Sequence, residues 1–185
     1  NWKMDLSMFE NKKFYQERLE KVQAQMTLMG IGGLILTNPL NIRYTTGTSV
    51  MALWTAVNMA RYAFIPVEGE PTVYEYGEAL KSTIKLWPKS KRAHPWQERF
   101  AQHGAPELAK QFAESMKGHL HDAGGAGTKV AIDSCDIIGI EALKDVGLNL
   151  VSADHCLDEA RRLKTETELD CLRKSVVIAE NAVKK

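Results

Sequence analysis

Tyr15, Leu19, Val22, Met26 and Met29 recur at steps of four, three, four and three, drawing one apolar stripe along a helix. Ser7 and Glu10 have capping-box spacing ahead of it, and Gly30 supplies the left-handed position that ends it. Gly33 to Thr37 is then a short, unbroken apolar run, the pattern of a strand buried on both faces. Asn38-Pro39 reads as an N-cap with proline at the first helical position, opening a helical turn through Ile42-Arg43-Tyr44 that ends near Gly47. Arg61 to Val67 and Thr72 to Tyr76 are strand-like. The turn Glu68-Gly69-Glu70-Pro71 between them predicts an antiparallel hairpin.

Residues 77–100 leave a helix and a short irregular strand open, and neither is assigned there. Pro106 opens a helix carrying Leu108, Phe112, Met116 and Leu120, which stops at Gly124-Gly125-Ala126-Gly127. Lys129 to Asp133 reads as a strand, Ile137 to Val146 as a helix ended by Gly147, and Leu148 to Ala153 as a further strand. Such tight strand–helix–strand spacing predicts a parallel crossover. Asp154 reads as the N-cap of a helix holding Leu157, Ala160 and Leu163. The expected fold class is α/β, a mixed β-sheet flanked by helices.

Thr165 and Glu168 form a second capping box, followed by Leu169, Leu172, Val176, Ala179 and Val183 at helical spacing. No glycine or proline stops that helix before Lys185. An apolar stripe needs a surface to lie on, either on its own domain or in a following one. The missing stop signal favours the second.

Composition narrows the class. The chain has 185 residues with 24 basic and 23 acidic side chains, a net charge of +1. That length fits one domain with its own core, able to bury about 70% of its unfolded surface without a staple. Near-neutral charge removes the whole-chain argument for nucleic acid or a membrane surface, and ordinary apolar content excludes disorder. Three cysteines, Cys135, Cys156 and Cys171, make no CxxC pair and suit a reducing compartment. With no apolar run of spanning length and no signal peptide in Asn1-Trp2-Lys3-Met4-Asp5, the expected location is cytoplasmic.

Candidate chemistry is sparse. Asp154-His155-Cys156-Leu157-Asp158-Glu159 is rich in ligand types, but only His155 and Glu159 share a helical face, and no third partner is placed. His119 and His121 face apart at i, i+2. Gly124 to Thr128 follows a helix and precedes a strand, the reverse of a phosphate loop. Trp87 and Trp96 among Lys85, Lys89, Lys91 and Arg92 could stack bases, although a charge run is more simply a solvated face. No G-x-S-x-G occurs, and no catalytic residue and no metal ligand is assigned in this chain.

Three ordered stretches carry a resemblance. They are Met29 to Tyr44 with Thr46-Gly47, then Arg61 to Pro66 with its Glu68 to Pro71 turn, then Arg162 to Leu169. Together they resemble the N-terminal domain of the creatinase/prolidase family of metalloenzymes, over about residues 12 to 185. The resemblance implies that residues 1–163 form that domain, an α/β layer that does no chemistry. Residues 164–185 would be the junction and first helix of a catalytic pita-bread domain. That domain would hold two divalent metal ions (Mn, Zn, Co or Fe) on two aspartates, a histidine and two glutamates, none of them in this chain.

The implied parent is a metal-dependent hydrolase, an aminopeptidase or Xaa-Pro dipeptidase. The implied partners are the chain's own catalytic domain, a second subunit in a homodimer, and a peptide or small-molecule substrate, with no nucleic acid and no membrane. Thr48 departs from the bulky residue that often follows the family's Tyr-x-Thr-Gly turn. Asn58-Met59-Ala60 lacks the phenylalanine and arginine that creatinase sends into its partner's site. Pro39 to Tyr44 with Leu53, Trp54 and Asn58 is similar to the branch that includes a dimethylsulfoniopropionate lyase, where the matching tryptophan lines the substrate pocket. Trp54 and Arg61 are therefore the candidate substrate-binding residues, Arg61 offering a planar fork to a carboxylate. The alternatives are that Trp54 plugs the core or a dimer contact and Arg61 pairs with a nearby glutamate. A stand-alone interaction module is the reading from another class.

Overall fold

The computed structural model describes residues 12–49, 61–75, 77–93, 105–125 and 127–184. The capping box at Ser7 and Glu10 lies outside them. Helix α1 spans Lys12–Met29 and buries Phe14, Tyr15, Leu19, Val22 and Met26; Phe14 joins the stripe read from the spacing, while its last member, Met29, is only half-buried. Gly30 follows at φ 65° and turns the chain into β1, Ile31–Leu36, buried along its whole length.

Asn38 then caps α2, Pro39–Thr46, its side chain accepting from the Leu40 amide. Gly47 ends that helix at φ 72°, and a Cβ there would meet the Tyr15 ring at 2.2–2.4 Å, so only glycine fits both the turn and its neighbour. Strands β2, Tyr62–Pro66, and β3, Thr72–Glu75, form the antiparallel hairpin, with Tyr62 opposite Tyr74 and Phe64 opposite Thr72. In the stretch left unassigned by the sequence stand α3, Ala79–Leu86, and a two-residue strand β4, Lys91–Arg92.

Helix α4, Ala105–Asp122, leads to β5, Lys129–Ile132, α5, Ile137–Asp145, β6, Asn149–Ser152, and α6, Asp154–Arg162. The N-cap of α6 is Ala153 rather than Asp154. Ser152 Oγ accepts from the Asp154 amide and contacts its carboxylate at 3.0 Å, which draws Asp154 into the first turn. Leu163, expected on the buried face, is at the C-cap and exposed.

The strands order as β4-β3-β2-β1-β5-β6. β1 pairs antiparallel with β2 but parallel with β5, and β5 pairs parallel with β6. Alternation along the central strands sends side chains into two cores. Leu34, Leu36, Ala63, Ile65 and Ala131 pack under α1, α2 and α6, while Ile35, Tyr62, Phe64, Val130 and Ile132 pack under α4 and α5. Gly33 belongs to the second layer, where a Cβ would lie 2.8 Å from the Phe64 ring. The result is three layers, helices on both faces of a mixed sheet.

Helix α7, Glu166–Val183, buries Glu168 in its first turn, and Cys171 packs partly buried against the core. The capping box of Thr165 and Glu168 is present, and Glu168 also accepts from Arg18 at 2.9 Å and Lys21 at 3.0 Å on α1. Beyond that turn Leu172, Val176, Val177 and Val183 are exposed. Burial alone raises the Glu168 carboxyl, but the Thr165 amide with Lys21 and Arg18 outweighs it and holds the group below its ordinary value.

A depressed carboxylate stabilises the fold above its unfolded pKa, and that contribution is lost as pH falls through the folded one. Glu168→Gln is expected to cost about 2 kcal/mol at neutral pH, and the cost should vanish in melts well below about pH 4.5. Deleting residues 172–185 should leave Tm within about 2 °C. A larger loss in a monomer would make the exposed half of α7 integral to this domain.

Candidate functional site

In an open α/β sheet, ligands favour the crevice at the carboxyl ends of the strands where the strand order reverses. Here that point lies between β1 and β5. It is filled by Asp133, which follows β5 and accepts from the Thr37 amide (2.9 Å), the Asn38 amide (3.1 Å), Asn41 Nδ2 (2.9 Å) and its neighbour Ser134 (2.6 Å). Arg161 Nη2 then donates to Asn41 Oδ1 at 2.5 Å. A carboxylate this fully engaged has little capacity left for a ligand.

Of the two sequence-predicted site residues, Trp54 lies outside the described residues. Arg61 lies in the interior, where its guanidinium donates Nε to Glu75 and Nη2 to the Thr48 hydroxyl. The side chains of this pair are 3% and 0% exposed. Thr48 Oγ1 is 2.7 Å from Thr46 Oγ1, so the residue marked as a departure from the family pattern is an acceptor in the Arg61 network. Burial pushes the Glu75 carboxyl above its ordinary value, with Arg61 and Thr83 pulling it back part of the way.

Elsewhere, Tyr74 OH lies 2.7 Å from His119 Nε2 and 2.8 Å from Ser115 Oγ, with the His119 ring stacked on Phe64. Burial lowers the His119 pKa, as does Lys91, while Asp122 opposes the shift. His121 is exposed on the other side of the helix end. Trp87 is fully buried and donates Nε1 to the Thr46 carbonyl at 2.7 Å, so its ring is unavailable for stacking on a base. Cys156 is buried, its thiol pushed up to about 11 by desolvation. Among the described residues, no three His, Cys, Asp or Glu side chains are grouped to hold a metal ion, and no helix is long and apolar enough to cross a membrane.

Sequence reasoning missed Glu75 and Asp133. An acid ending the apolar strand Thr72-Val73-Tyr74 was the available signal for the first. An acid directly after a buried strand was the signal for the second.

The fold and its internally engaged polar groups define a three-layer α/β domain without a convergent catalytic set among the described residues. The chain belongs to the Creatinase/Prolidase N-terminal domain family, matched over residues 18–163. It is similar to a "Dimethylsulfoniopropionate lyase DddP" of Roseovarius nubinhibens, 25% identical over 154 residues, covering 82% of this chain and 34% of the relative. The protein of the same name from Roseobacter denitrificans is 25% identical over 170 residues, covering 91% and 38%. The chain thus spans little more than a third of these curated relatives. The fold is shared with a prolidase from Thermococcus sibiricus at TM-score 0.63 and 20% identity, over 92% of this chain and 43% of that one.

Removing one member of a buried pair strands the other, at about 3–5 kcal/mol. Arg61→Ala should therefore lower Tm sharply, and Arg61→Ala with Glu75→Gln should lower it less than the single change. A loss in the double variant equal to the sum of the two single losses would mean that the pair is not coupled. For His119, a folded pKa below the ordinary 6.5 means that stability is complete above that value and is lost as pH falls below it. His119→Gln should flatten that part of the stability profile, read from melts across the range.

Proposed function

We propose that residues 1–163 are the non-catalytic N-terminal domain of a larger two-metal pita-bread enzyme, and that 164–185 are its junction and first catalytic-domain helix. In this reading the domain packs a homodimer and walls the substrate site. The observation that carries the reading is the contrast within α7. Its first turn is clamped to α1 through Glu168, while Leu172, Val176 and Val183 remain exposed. Fully burying each such side chain is worth roughly 1.5–3 kcal/mol, so the stripe calls for a surface beyond this domain. The partial coverage of the relatives supports the same reading.

The parent reaction we favour is metal-dependent hydrolysis at Xaa-Pro bonds, by an aminopeptidase or dipeptidase in the cytoplasm. Two divalent metals in the catalytic domain would supply an activated water and polarise the scissile carbonyl. The residues of this chain contribute no ligand to that chemistry; their part is to hold the wall. Trp54 is the residue we assign to the substrate wall, with Arg61 as a positioning residue inside the fold. A second reading, C–S bond cleavage by a dimethylsulfoniopropionate lyase, is favoured by the names of the two curated relatives.

Purified alone with manganese, zinc, cobalt or iron, this chain should neither hydrolyse Xaa-Pro peptides nor release dimethyl sulfide. Metal-dependent turnover above a matched blank would overturn the non-catalytic assignment. In the full-length parent the same two assays separate the readings. There Trp54→Ala should leave the melting curve intact and lower kcat/KM tenfold or more, about 1.4 kcal/mol of transition-state binding. Unchanged kcat/KM would remove Trp54 from the site.

A further inference from the structure

A cleft of about 530 Å³ opens where α1, α2 and the first turns of α7 meet. Its size falls within the range of small-molecule sites, roughly 300–1,000 Å³. Two guanidinium groups line it, Arg18 and Arg43, and no carboxylate is among the described lining residues.

Arg18 is held in place rather than free to swing. Its Nε pairs with Glu168 at 2.9 Å, and its guanidinium carbon lies 4.1 Å from the Phe14 ring centroid and 4.9 Å from that of Tyr44. The pair with Glu168 uses Nε alone, leaving the terminal nitrogens without a hydrogen-bond partner among the described residues. Tyr44 is also held by Arg161, 4.7 Å from its centroid, and by a bond from its hydroxyl to the Ala160 carbonyl.

Arg43 is exposed and likewise has no ion-pair partner among the described residues. Arg43 and Arg18 line the same cleft as Tyr15, whose hydroxyl pKa is raised by burial and Cys171 and lowered by the charges of both arginines. Ser49 adds a hydroxyl at the rim, and Phe14, Tyr44 and Leu40 supply apolar wall.

We propose that this cleft binds a small organic carboxylate, its oxygens on Arg18 and Arg43 and its apolar body against Tyr44 and Leu40. The fork of a guanidinium matches a carboxylate in two parallel bonds, and a preorganised fork loses little entropy on binding. The aromatic and aliphatic wall argues for an organic acid over a bare inorganic anion, which would leave that surface unused. Nothing in this assignment depends on the parent activity proposed above.

The test titrates the chain with benzoate, following the Gly47 and Ser49 amide resonances at low salt. Benzoate should give saturable shifts there, and neutral benzamide should not. Arg43→Gln, which removes an exposed side chain without a described partner, should weaken benzoate at least tenfold, whereas Lys110→Gln on α4 should change nothing. Absence of saturable shifts, or undiminished binding by Arg43→Gln, would overturn the site. Inorganic phosphate binding as tightly as benzoate would overturn the organic-acid assignment.

Discussion

The carboxylate of Asp133 gathers the amides of Thr37, Asn38 and Ser134 and the side chain of Asn41, and through them the two halves of the sheet meet. On one side of β1 the pairing is antiparallel, on the other parallel. The chain ends leaving β1 and β5 therefore diverge at this point, and their amides need an acceptor that neither strand supplies. One ionised side chain meets that need, with charge-assisted bonds roughly twice as strong as neutral ones. From Asn41 the connection continues to Arg161, across the Tyr44 ring to Arg18, and on to Glu168 at the base of α7. A continuous polar and cation–π path thus links the centre of the sheet to the last helix.

The same economy runs through the interior, where the buried polar groups bond mostly to one another. The crevice that other α/β folds keep open for ligands is here closed by the protein's own hydrogen bonds. Buried Arg61 and Glu75 are spent on each other and on two threonines, and Tyr74 on His119 and Ser115. A buried ion pair adds little net stability over an apolar pair of the same shape, because two desolvations offset the attraction. Geometry is the better account of Arg61–Glu75. It joins Arg61, just ahead of β2, to Glu75 at the end of β3 and to Thr48 after α2.

Periodic features were legible in the sequence and long-range ones were not. The α1 stripe, the β2–β3 hairpin, the parallel β5–β6 pair and the Thr165–Glu168 box each involve residues a few positions apart, and each is where the spacing puts it. Helix α3 has eight residues, buries only Thr83 among its own side chains and lacks a side-chain cap, so no local pattern announces it. Strand β4 has two exposed residues and exists because β3 offers an edge. Asp154 looked like a cap because an acid before an amphipathic run usually is one. The serine two residues earlier takes over the Asp154 amide instead. Of the candidate site, Arg61 was visible as an arginine entering a strand, but its partner sits 14 residues away on a neighbouring strand. Only the pairing of β2 with β3 brings them together.

Helix α7 is where these constraints reach the surface. Its first turn satisfies four demands at once: the Thr165 amide, the helix's own orphan donors, and the two cations of α1 that would otherwise lie against each other. That makes the helix's direction a property of this domain, set by Glu168 and α1. The remaining turns add few buried contacts, so their stability as a helix in isolation is marginal, as it is for any segment shorter than about 12–15 residues. A rigid base with a weakly supported, apolar shaft is the arrangement expected of an element whose position is dictated from one side and whose burial is supplied from the other. The clamp sets the direction in which the helix presents Leu172, Val176 and Val183.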